Sequence, residues 1–141
     1  MLITRRAEFS AAHVCRNPAL SDSENEQIYG VEAAPRGHGH NFVVEITLEG
    51  APDPVTGMTY DLKKLRELIQ KEVLDVYDHR FLNLEVPPFD RIIPTPENIA
   101  AEIWRRLARV LKEPGVRLYR VRLYDTEDSW VDYQEEQACS G

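Results

Sequence analysis

The order of local patterns predicts an α+β domain, in which a four-stranded antiparallel sheet carries two helices on one side. Two observations carry this reading. Alternating apolar and polar residues mark strands toward both ends of the chain, and two stretches of helical period with clear start signals fill the middle. The order is strand, strand, helix, helix, strand, strand. With 141 residues, 43% of them hydrophobic, the chain is the size of one ordinary domain spanning 1–141 and can bury a core.

The opening "LITRRAEFSAAH" reads as the first strand. "RNPALSDSENEQIYG", residues 16 to 30, is polar and turn-rich and reads as a long loop, a length that inside a compact domain usually signals function or disorder. From Asn41 to Glu49 the chain alternates, with Phe42, Val44, Ile46 and Leu48 on one face, and "GAPDPVTGM" then turns it. Asp61 stands as an N-cap before Leu62, Leu65, Leu68, Ile69 and Val73 at helical spacing. "TPEN", Thr95 to Asn98, starts a second helix with a Thr cap, a Pro at the first helical position and a first-turn acid. Ile99, Ile103, Leu107 and Leu111 form its buried stripe, and "EPG" stops it. Tyr119, Val121 and Leu123 alternate with Arg120 and Arg122 in a strand with one wet face, and Trp130 to Tyr133 is the last strand.

Composition narrows the partners. A net charge of −7 argues against the basic field that holds nucleic acid or an anionic membrane. No apolar run approaches the roughly 20 residues of a membrane-spanning helix, and "MLITRRAEFS" lacks the apolar core of a signal peptide. Cys15 and Cys139 lie far apart, without a disulfide framework or a CxxC pair, so a reducing cytoplasm is the expected home.

The chemistry concentrates in "GVEAAPRGHGHNF", where His38 and His40 flank a single glycine. In a strand, residues two apart share a face, so both imidazoles can offer a nitrogen to one metal. An HxH pair alone is a weak signal, because two imidazoles can simply end a strand. His13, closing "EFSAAH", could join them from an antiparallel neighbour. Three imidazoles with an open fourth position make the catalytic type of zinc site.

Together "FSAAH", "GHGHNF", "PDPVTGM", "DHRFLN", "PTPEN" and "LYDT" resemble, in the same order, the 6-pyruvoyltetrahydropterin synthase / 6-carboxytetrahydropterin synthase family, from about Glu8 to Tyr133. The resemblance implies a tunnelling fold, ββααββ, whose sheets close a barrel only by oligomerisation: three subunits to a barrel and two barrels to a homo-hexamer. It implies a Zn2+ ion held by His13, His38 and His40, and a small pterin substrate, 7,8-dihydroneopterin triphosphate. It also implies that Asp78 and His79, in "YDHRFLN", tune the catalytic group of a neighbouring subunit's site.

This sequence departs from the family at two places. Where animal-type members carry the catalytic cysteine, six residues before His38, stands Glu32. A carboxylate can serve as general base, and family members with glutamate nearby are associated with side-chain cleavage to 6-hydroxymethyl-7,8-dihydropterin. The expected activity is thus a zinc-dependent lyase of folate or queuosine biosynthesis. Pyruvoyl or carboxy pterin synthesis and a non-catalytic zinc- and pterin-binding homologue stand as alternatives. Cys15, two residues after His13, is the other candidate thiol. The glutamate that anchors the pterin falls by register on Asp125, one methylene shorter, and Glu127 is expected on the same face as a substitute. Thr95 and Glu97 match positions lining the pterin pocket, although both suit a helix start on their own account. Arg16 and Arg36 lie on loops flanking the proposed site.

Overall fold

In the computed structural model, which describes residues 1–135, the sheet is built from four antiparallel strands and one short addition. Strand β1 (Leu2–His13) pairs antiparallel with β2 (His38–Gly50) over its whole length, from Leu2 opposite Glu49 to His13 opposite His38. β2 pairs antiparallel with β4 (Val116–Thr126), and β4 with β5 (Ser129–Tyr133). The addition is β3 (Arg80–Phe81), two residues parallel to Ala11 and Ala12, which gives the order β3-β1-β2-β4-β5.

One sheet face is apolar because β1 and β2 alternate in phase. Phe9, Phe42, Val44, Ile46 and Leu48 are buried, and Phe9 stacks on Phe42 with centroids 5.2 Å apart. Such a pair adds about 0.5–1.5 kcal/mol beyond its buried area. Two long helices cover this face. The first runs from α2 (Leu62–Ile69) through one wider turn at Gln70–Leu74 into α3 (Asp75–Tyr77), and buries Leu65, Ile69, Val73 and Tyr77. The wider π-type turn shifts the helix phase, so Glu72 also turns inward, where Arg106 pairs with it at 3.6 Å. The second is α5 (Pro96–Val110), capped by Thr95 and burying Ile99, Ile103 and Leu107. A short helix, α4 (Leu82–Glu85), follows β3.

Three expectations need correction. Residues 16 to 30 are not a loop throughout: α1 (Asp22–Tyr29) and a tight turn at Gly30–Ala33 occupy the second half. α1 carries no apolar stripe, so periodicity missed it. Its signature is instead the reciprocal capping box between Ser21 and Glu24. Buried Asn25 then ties the helix to the preceding loop, donating to the carbonyls of Asn17, Leu20 and Ser21. The second correction is Tyr119. A register shift opposite Thr47 and Leu48 makes Tyr119 the extra residue, and Leu118 takes the core position. Third, β2 begins at His38 rather than Asn41, so both histidines lie inside the strand.

Candidate metal centre and active site

His13 is the last residue of β1 and His38 the first of β2, directly opposite one another. His40, opposite Ala11, points to the same face as Phe42 by strand alternation. All three rings therefore project to the helix side, at the end of the core. The ring centroids are 4.5 Å apart for His13 and His38, 4.7 Å for His38 and His40, and 5.2 Å for His13 and His40.

Glu32 joins them from the tight turn at Gly30–Ala33. Its Oε2 lies 3.3 Å from His38 Nε2 and 3.7 Å from His13 Nε2. The turn is docked through its backbone, where the Cys15 N–H donates to the Glu32 carbonyl at 2.8 Å. One ligand atom from each of His13, Glu32, His38 and His40 falls within a 4.8 Å set, an arrangement that could hold a metal ion.

The donor chemistry fits that reading. His13 Nδ1 meets the Pro94 carbonyl at 2.7 Å, so that nitrogen carries the proton and Nε2 is left with its lone pair facing the cluster. His13 Nε2 and His38 Nε2 are 3.0 Å apart, near the ligand–ligand spacing of roughly 3.3 Å that zinc–nitrogen bonds of 2.0–2.1 Å would give in a tetrahedron. His40 Nε2 is buried without a hydrogen-bond partner among the described residues. A buried nitrogen left unpaired is costly, and a metal would satisfy it. Burial holds the His13 imidazole below the ordinary histidine range, with His38 and His40 pushing the same way, against the Pro94 hydrogen bond and Glu32. A neutral imidazole is the ligating form.

Cys15 lies beside this cluster, its Sγ 3.6 Å from both His13 Nδ1 and the Pro94 carbonyl. Burial pushes its thiol up to about 12, and the charges of Glu32, Glu97 and Asp125 add to the effect. Burial thus disfavours the thiolate in this setting. Glu97 and Asp125 are among the charges felt at the Cys15 thiol. Glu127 is not with them. It borders a hollow with Glu8, Asn41, Val43 and Glu45, on the sheet face away from the helices. The pairing of β4 with β5 is irregular between Tyr124 and Thr126, and the chain turns at Glu127, so two-residue alternation from Asp125 fails. Thr95 accepts a hydrogen bond from the Asn98 N–H at 3.3 Å and so caps α5. Cys139 lies outside the described residues.

Asp78 and His79 stand at the outer edge of β1. The Asp78 carboxylate is 3.1 Å from His79 Nδ1 and accepts from the Ser10 N–H at 2.9 Å. His79 adopts φ of 62°, a left-handed conformation that is strained for a residue with a side chain. Its N–H bonds the Ser10 carbonyl at 2.6 Å. The ring is 80% exposed and borders a hollow of about 520 Å³ along the ends of β1 and β2, lined by Ser10, Ala11, Ala12, Gly39, His40 and Asn41. His40 of the three-histidine cluster thus borders the same hollow.

The profile of the 6-pyruvoyl tetrahydropterin synthase family matches residues 2–136. The chain belongs to this family. A 6-pyruvoyl tetrahydrobiopterin synthase from Pongo abelii is 40% identical over 134 residues, which cover 95% of this chain and 91% of that one. The solved structure of Caenorhabditis elegans 6-pyruvoyl tetrahydropterin synthase has a TM-score of 0.90 at 38% identity and covers 96% of each chain. A dihydroneopterin monophosphate aldolase from Pyrococcus furiosus is 32% identical over 133 residues, 94% of this chain and 96% of that one. The sheet and its two covering helices are accordingly the tunnelling fold of the 6-pyruvoyl tetrahydropterin synthases.

Two positioning features of this family member were not found from sequence. The Pro94 carbonyl selects the His13 tautomer, and backbone acceptors leave no sequence signal. Gly37, just before His38, has φ of 76°, and a Cβ there would lie 2.9 Å from the Phe81 ring. The "RGHGH" glycine is therefore needed both for conformation and for space.

Proposed function

We propose that this chain is a zinc-dependent pterin lyase that cleaves the side chain of 7,8-dihydroneopterin triphosphate to 6-hydroxymethyl-7,8-dihydropterin. One observation carries the reading: the Glu32 carboxylate is aimed at the three-histidine cluster, 3.3 Å from His38 Nε2 and 3.7 Å from His13 Nε2, while burial raises the pKa of the neighbouring Cys15 thiol. The 32% identity to a dihydroneopterin monophosphate aldolase supports the same outcome.

His13, His38 and His40 would hold the zinc. Bound there, the ion supplies Lewis acidity toward the substrate's side-chain hydroxyls, lowering their pKa. Glu32 acts as general base and takes the proton of the hydroxyl on the second side-chain carbon. The O–H electrons form the new C=O, the bond between the first and second side-chain carbons breaks, and its electron pair enters the conjugated imine of the pterin. The proton held by Glu32 returns to the first carbon. Products are the hydroxymethyl pterin and a two-carbon aldehyde that keeps the phosphate chain, so atoms and charge balance. Asp125 would accept hydrogen bonds from the pterin amino group and adjacent N–H, and Thr95 and Glu97 would line or support the pocket.

A second reading, elimination of triphosphate to a pyruvoyl pterin, draws on the names of the 40% identical relatives. Product analysis separates the two. Zinc-loaded protein incubated with dihydroneopterin triphosphate is expected to yield 6-hydroxymethyl-7,8-dihydropterin on chromatography. Pyruvoyl or carboxy pterin would overturn cleavage, and pterin binding without product would make the chain a binding module.

Asp78 and His79 enter this reading through assembly, since neither is among their own chain's clustered metal-ligating groups. Most of the outer edge of β1 is unpaired among the described residues, as is that of β5, and such edges invite strand addition. We expect a closed homo-hexamer, two stacked trimeric barrels, in which His79 reaches a neighbour's site. Light scattering should give a mass in a multiple of three chains; a stable monomer in dilute solution would remove His79 from catalysis.

A further inference from the structure

We propose that Asn83 is a positioning residue for the three-histidine site, an inference that rests on the reading of that site as a metal centre. The observation is a two-point contact just past the end of β1. The side-chain Oδ1 of Asn83 accepts from the Val14 N–H at 2.8 Å, and its Nδ2 donates to the Val14 carbonyl at 2.9 Å. The amide thus does what a strand residue would do, on an edge where β3 pairs only with Ala11 and Ala12.

Val14 is a consequential residue to hold. Before it is His13, whose ring faces the cluster, and after it is Cys15, whose N–H carries the Glu32 turn. The three residues form a strut. On one side the strut presents a metal ligand, and on the other it docks the carboxylate that completes the cluster. Strand pairing with β2 ends at His13–His38, so beyond that point the strut has no ladder partner in β2. On the other edge, past the two residues paired with β3, Asn83 continues the backbone pairing at Val14. A one-point contact would leave the Val14 peptide free to rotate, whereas two opposed hydrogen bonds fix its plane.

The same short segment is fastened a second time. At its start, His79 and Asp78 bond the backbone of Ser10 on both sides, through the His79 N–H and the Asp78 carboxylate. Between the two fastenings lies Phe81, whose ring packs where a side chain at Gly37 would have to go, one residue before His38. Residues 78 to 83 therefore brace both strand ends that bear the histidines. The Asn83 amide is the part of this brace nearest to His13 in sequence register, and its hydrogen bonds go to the Val14 backbone.

The prediction concerns metal affinity rather than fold. Losing a group that orients a ligand typically costs 10–100-fold in metal affinity. In Asn83→Ala, zinc Kd measured by chelator competition on the intact assembly is expected to rise about tenfold, at the low end of that range. The visible absorption bands of the cobalt-substituted protein should shift, because the His13 ligand is less well directed. Asn83→Asp keeps the acceptor for the Val14 N–H and loses the donor, so its affinity should fall between wild type and Asn83→Ala. A purely structural role would lower the Tm of the metal-free variants and leave zinc Kd and the cobalt bands unchanged at temperatures where they are folded; that result would overturn the inference. Should Asn83→Ala fail to fold, Asn83→Asp carries the same test, and wild-type affinity in it would overturn the inference equally. Absence of zinc binding by the wild-type chain is a distinct result, and it would remove the metal-centre reading together with this one.

Discussion

His38→Ala is expected to strip zinc from the protein and reduce turnover to background while leaving the chain folded. The core lies further along β2, at Phe42, Val44, Ile46 and Leu48, all with no exposed surface. His38 stands at the strand's first residue, half-buried, with Nδ1 unpartnered among the described residues, so its removal breaks no core contact. What remains after the substitution is two imidazoles and the Glu32 carboxylate. That weaker donor set should lose zinc to EDTA under conditions where the wild type retains about one ion per chain. Metal content after gel filtration and the thermal transition of the metal-free protein are the two measurements. Stoichiometric zinc in the variant would show that the three-histidine set is not the site.

The trio was legible because strand alternation converts sequence spacing into geometry. Residues two apart share a face, and antiparallel pairing of the first two strands then sets His13 opposite His38. The cap signals of Asp61 and Thr95 located both long helices for the same reason: each is a local hydrogen bond to the backbone within three residues. Features set by longer-range partners were not legible. Helix α1 is stabilised by a capping box and by Asn25 bonding to a loop, and neither leaves an apolar period. The bulge at Tyr119 is a property of the β2–β4 pairing, invisible in β4 alone. The same limit misplaced Glu127, since alternation holds only while the ladder is regular and it lapses just before the hairpin turn. Asn83 shows the limit from the other side. Its motif was visible, yet its role depends on where Val14 arrives in space, 69 positions away.

Glu32→Gln is expected to lower turnover by about two to four orders of magnitude, the usual range for loss of a general acid or base. Glutamine keeps the shape of the side chain and an acceptor oxygen, but it cannot take a proton at neutral pH. The backbone anchor of the turn, the Cys15 N–H on the Glu32 carbonyl, is unaffected by this change. Zinc should therefore remain bound through His13, His38 and His40. Because the Glu32 carboxylate stands 3.3 Å from His38 Nε2, metal content must be measured alongside rate. A rate loss with full zinc occupancy assigns Glu32 to proton transfer. A rate loss that parallels zinc loss would make the carboxylate a metal ligand instead. Glu32→Cys puts a thiol where the resemblance places the family's cysteine, at a side chain more exposed than Cys15, and is expected to shift the product toward the pyruvoyl pterin. Undiminished turnover in Glu32→Gln would exclude the base role, and with it the proton path on which side-chain cleavage depends. Cys15, whose Sγ lies 3.6 Å from His13 Nδ1, would then be the next residue to replace.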